Sequence, residues 1–78
     1  MEKRKVAFVH TSPPAVGPLM KFYSEAAPEL EITNLLDDGL LRLLAAGDAA
    51  TAEARLTDMI RVAARTYGAE AAMVTCSS

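Results

Sequence analysis

Three short apolar runs, spaced so that a helical stretch fits between each pair, constrain the fold more than any other feature of this chain. The first, Lys5 to Val9, is almost continuously apolar with β-branched and aromatic members, and Thr11-Ser12-Pro13-Pro14 closes it. A run without alternation suits a strand buried on both faces, as in a parallel sheet. The second, Glu31 to Leu36, follows Pro28, and the third, Ala71-Ala72-Met73-Val74, leads into Thr75-Cys76-Ser77-Ser78. Its core-like members are Met73 and Val74.

The intervening segments carry the helical period. From Gly17-Pro18 to about Ala27, the residues Leu19, Phe22, Tyr23 and Ala26 recur at helical spacing, and proline is tolerated in a first turn because its missing N–H would be unpaired there. Asp37-Asp38-Gly39 is a turn, and Leu40 to Ala46 reads as a short helix with Asp38 as the better capping candidate. Gly47-Asp48 opens a longer helix. In it Ala52, Leu56, Met59, Ile60, Ala63 and Tyr67 share one face, and Gly68 suits its carboxyl end because glycine enters the left-handed region at little cost. The order is strand, helix, strand, helix pair, strand. It predicts an α/β fold with a three-stranded parallel sheet, right-handed crossovers and flanking helices.

Size and charge remove several functional classes. With 78 residues the chain is one α/β unit, and one cysteine cannot form an internal disulfide. Net charge is −2 overall, and outside the five residues Met1 to Lys5 it is 5 − 9 = −4. The Lys3-Arg4-Lys5 cluster reads as a solubilising start before a strand, so nothing favours nucleic acid as a partner. No apolar stretch approaches the roughly 18 residues of a membrane span, and Val6 to Val9 is too short for a signal peptide. A cytoplasmic chain with a reduced thiol is the expectation.

If the first strand lies centrally, in order 2-1-3, the winding reverses between strands one and three. The loops leaving their carboxyl ends then diverge around a crevice, the usual ligand position in such sheets. Those loops begin at Thr11-Ser12 and at Cys76-Ser77-Ser78. A cysteine at that position, where a following helix would begin, meets unpaired N–H groups and a positive dipole end that favour thiolate, making Cys76 a candidate base or nucleophile. The bland alternative is a small buried residue filling the strand end. Thr11 and Ser12 offer hydroxyl and backbone N–H groups to a carboxylate at the same mouth, against the alternative of turn chemistry before the prolines. His10 could act as an acid or base, but a lone histidine at a strand end is more often a hydrogen-bonded structural residue. One cysteine and one histidine do not make a metal site, and the loop after the first strand lacks the glycine patterns that cradle phosphate.

Three stretches together resemble the amino-terminal half of the aspartate/glutamate/hydantoin racemase superfamily. They are Val6-Ala7-Phe8-Val9-His10-Thr11-Ser12-Pro13, Leu35-Leu36-Asp37-Asp38-Gly39-Leu40 and Met73-Val74-Thr75-Cys76-Ser77-Ser78. The resemblance implies a cofactor-independent racemase or isomerase of small carboxylic acids, built from two similar α/β halves with one cysteine from each facing the α-carbon. On that implication Cys76 is the catalytic acid/base, and Ser77, Ser78 and Thr11 grip the substrate carboxylate. Residues 1–78 would then be the amino-terminal portion of a longer enzyme. A second half or a second copy would supply the opposite face. His10-Thr11 and Ser77-Ser78 stand where glutamate racemases tend to carry Asp-Ser and Asn-Thr, which keeps hydantoin racemase, maleate isomerase and decarboxylase relatives open. A noncatalytic module that binds an anion, or a partner along its third strand, is the reading from another class.

Overall fold

A computed structural model describes residues 3–75. It contains β1 (Arg4–His10), a 3-10 turn at Pro13–Ala15, α1 (Val16–Ala26), β2 (Leu30–Leu36), α2 (Leu40–Ala45), α3 (Ala49–Arg65) and β3 (Ala71–Thr75). The three strands form one parallel sheet, as the spacing of the apolar runs predicts, and the order is β2-β1-β3, the arrangement expected with the first strand in the middle. β1 is central and the most enclosed: Ala7, Phe8, Val9 and His10 are all buried.

Alternation along β1 separates two layers, since successive side chains point to opposite faces. Phe8 lies on the α1 face, its ring 5.2 Å from that of Tyr23. Val9 lies on the other, in a cluster with Leu40 of α2 and with Ala52 and Met59 of α3, flanked by Leu35, Leu43 and Leu56. The helices therefore sit on opposite faces, and the winding reverses across β1. The layers are unequal. No residue of α1 is buried, whereas Ala52, Met59 and Ala63 of α3 are.

Several local expectations shift. α1 begins at Val16, so Pro18 is its third residue, still among the first four positions whose N–H groups have no helical acceptor. Asp38 does not cap α2. The carboxylate of Asp37 accepts the backbone N–H of Gly39 at 2.9 Å instead, closing the turn from the β2 side. Asp48 caps α3 by accepting the N–H of Thr51 at 3.1 Å. Gly68 takes the expected left-handed conformation, φ 69°, two residues beyond the cap residue Thr66.

The largest difference concerns β3. Met73 and Val74, expected in the core, are 55% and 41% exposed. Among the described residues β3 pairs with β1 on one side only, and on the α1 face the ring contact that reaches the sheet is that of Tyr23 with Phe8 of β1. Period and composition mark a residue as apolar; whether a layer reaches it depends on where the helices land. Phe22 and Ile60 also stay exposed, at 59% and 40%, and Tyr67, expected on the face of α3, lies beyond the end of that helix and is 46% exposed.

Candidate functional site at the carboxyl ends of β1 and β3

Central placement of β1 puts its carboxyl end between those of β2 and β3, and the chain lays polar residues across all three. His10 is paired with Leu36 on one side and with Thr75 on the other. Its imidazole is fully buried, and both ring nitrogens are engaged: Nε2 lies 2.7 Å from Asn34 Oδ1 and Nδ1 lies 2.8 Å from Thr75 Oγ1. A buried polar ring without partners would be costly, and this one has a partner at each nitrogen. His10 is thus hydrogen-bonded at both ring nitrogens, the arrangement expected of a structural histidine.

Thr11, directly beyond β1, is 7% exposed, and its hydroxyl donates to the Thr75 carbonyl at 3.3 Å. Consecutive residues at the end of β1 therefore hold Thr75 at its side chain and at its main chain. The Asp37 N–H donates to the His10 carbonyl at 3.0 Å, bringing the β2 end to the same place. Ser12 follows with extended backbone, half-buried, at the entrance to the 3-10 turn. Of the sequence-derived candidates, Thr11 and Ser12 lie at the switch point of the sheet; Cys76, Ser77 and Ser78 lie outside the described residues.

A groove of about 390 Å³ opens beside Thr11 on the α3 face. Leu40, Leu41, Leu44, Leu56 and Val74 supply an apolar lining, with Thr11 and Glu53 its polar members. Such a surface favours a small, largely apolar body with a polar group at the Thr11 end. Arg55 and Asp37 stand near by, Arg55 Nε donating to Asp37 Oδ2 at 2.8 Å. That hydrogen bond, followed by the one from the Gly39 N–H, holds the Asp37 carboxyl below its usual 3.8. Asp37 thus serves the turn as an ionised anchor. Among the described residues, no group of three His, Cys, Asp or Glu side chains is placed to hold a metal ion, and no helix is long and apolar enough to cross a membrane.

Asn34 and Thr75 were not singled out by sequence reasoning. The available signal was that a histidine ending a central strand must be enclosed and so needs partners, which the neighbouring strands have to supply. No protein-family model matches the chain, and no curated protein or solved structure matches it either.

Proposed function

We propose that this chain carries one half-site of a cofactor-independent racemase or isomerase of small carboxylic acids, of the aspartate/glutamate/hydantoin racemase type. Cys76 is the proton-transfer base, and Thr11, Ser12, Ser77 and Ser78 are the carboxylate ligands. One observation carries the reading: the Thr11 hydroxyl gives its one hydrogen to the carbonyl of Thr75, the residue that precedes Cys76 in sequence. The end of β1 is thereby tied to the entry of the Cys76 loop, and Thr11 itself would grip a carboxylate through its backbone N–H. The order β2-β1-β3 supports it, because the β1 and β3 loops flank the position where ligands bind in such sheets.

The chemistry follows from the thiol. A thiolate at residue 76 removes the α-proton of the bound acid; the C–H bond breaks, the proton passes to sulfur, and the electron pair delocalises toward the carboxyl group. Hydrogen-bond donors around the carboxylate stabilise the charge that develops there. Inversion then needs a proton delivered to the opposite face by a second acid, and one cysteine serves one face. The second acid comes either from a second α/β half, with this chain as half of a two-domain arrangement, or from a second copy. A free thiol base also calls for a reducing compartment, hence the cytoplasm. Decarboxylation or cis-trans isomerisation of a related acid uses the same single thiol.

The test is α-proton exchange in deuterated water with a panel of amino acids, hydantoins and simple dicarboxylic acids. The exchange is followed in the complete enzyme, because one half-site alone is not expected to turn over. Cys76→Ala is expected to lower the exchange rate by about a hundredfold or more, the scale of a lost acid/base group. Exchange that is equal in the variant and the parent chain removes the assignment.

A second reading rests on a different observation. The exposed Met73 and Val74 on a strand paired along one edge favour a noncatalytic module that joins a partner through β3.

A further inference from the structure

We infer that Asn34, acting through His10, sets the direction of a hydrogen-bond chain across the three strand ends, with His10 as the positioning residue for Thr75. This goes beyond the proposed reaction and does not depend on it. The side-chain oxygen of Asn34 carries no hydrogen, so at 2.7 Å the shared proton belongs to Nε2 of His10. The imidazole is fully buried, its hydrogen-bond partners are the uncharged Asn34 and Thr75, and the Phe8 ring centroid lies 6.0 Å away. In a neutral imidazole one ring nitrogen carries the proton and the other accepts. Nδ1 therefore presents a lone pair, and the Thr75 hydroxyl donates to it at 2.8 Å.

Every link now has one direction: Thr75 donates to His10, and His10 donates to Asn34. The Thr75 hydroxyl cannot rotate away without leaving Nδ1 unpaired. Its carbonyl is held separately by Thr11. Thr75 is thus fixed at two points where the chain leaves β3, and the rotamer of a residue on β2 governs one of them. Asn34 belongs to this device because it shares a face with His10 and Thr75, being paired with Phe8 two positions earlier along β1.

His10 is the single histidine in the chain, so the imidazole nitrogens of the ¹⁵N-labelled protein are read without ambiguity. The proton is expected on Nε2 at neutral pH, with Nδ1 unprotonated and shifted by the bond it accepts. Thr75→Val should abolish that shift at Nδ1 while leaving the proton on Nε2, and Thr75→Ser should restore it. Asn34→Leu should move the proton to Nδ1 in a measurable fraction of molecules. A proton on Nδ1 in the parent chain, two ring protons at neutral pH, or a Nδ1 resonance unmoved by Thr75→Val would each overturn the inference. If Asn34→Leu does not fold, the two Thr75 variants still decide it; a folded Asn34→Leu with its proton unmoved removes Asn34 from the device.

Discussion

Asp37 shows how one side chain can join three segments. Its carboxylate takes the Gly39 N–H and the Arg55 guanidinium, so the end of β2, the start of α2 and the middle of α3 meet at its side chain, and its own N–H, donated to His10, adds the end of β1. The folded carboxyl titrates below its ordinary 3.8, first because of the Arg55 hydrogen bond and then because of Gly39. The contribution is therefore present above the unfolded value and is lost as pH falls through the lower folded one. Asp37→Asn keeps an oxygen for Gly39 but loses the charge, and with Arg55 well exposed the cost is about 0.3–1 kcal/mol at neutral pH. Denaturant melts at several pH values check this: the gap between parent and variant should close as pH falls below the ordinary carboxylate range, and a gap that stays constant refutes the ionic origin.

At the scale of elements, α3 holds the sheet through a stripe narrower than its sequence suggests. Met59 is 6% exposed among Val9, Leu40 and Ala52, whereas its neighbour Ile60 is 40% exposed. Met59→Ala should cost about 2–4 kcal/mol through lost burial and an unfilled cavity, and Ile60→Ala under about 1. Equal losses in urea titration would mean that the packed face has been misjudged. All three strands and the three helices are legible from the apolar runs and their spacing, whereas the order 2-1-3 is an assumption that the structure bears out: the run of β3 is as unbroken as that of β1 and yet lies at the edge. The meeting of Thr11 with the end of β3 follows from that order. What period alone leaves open is coverage: Phe22 and Tyr23 are adjacent in one helical pattern, yet only Tyr23 reaches Phe8. Asn34 and Thr75 as partners of His10 escape sequence reasoning for another reason. Their meeting depends on strand register, and a slip of one residue would turn each side chain to the other face.

At the scale of the whole molecule, the balance between buried and exposed apolar surface is uneven. Met73 and Val74, on opposite faces of β3, are 55% and 41% exposed, and the strand from Ala71 to Thr75 carries no charge or proline to discourage pairing. Two copies meeting by their β3 edges about a two-fold axis would extend the sheet and shelter both side chains. Association of that kind makes stability depend on concentration, with a hundredfold rise adding up to about 2.7 kcal/mol. The thermal midpoint should therefore climb across a hundredfold concentration series. Met73→Lys, at a side chain already half in water, should flatten that climb with little effect on the dilute protein. A midpoint that stays level in the parent chain, together with a monomeric sedimentation profile, would exclude self-pairing through β3 and leave the edge to a different partner.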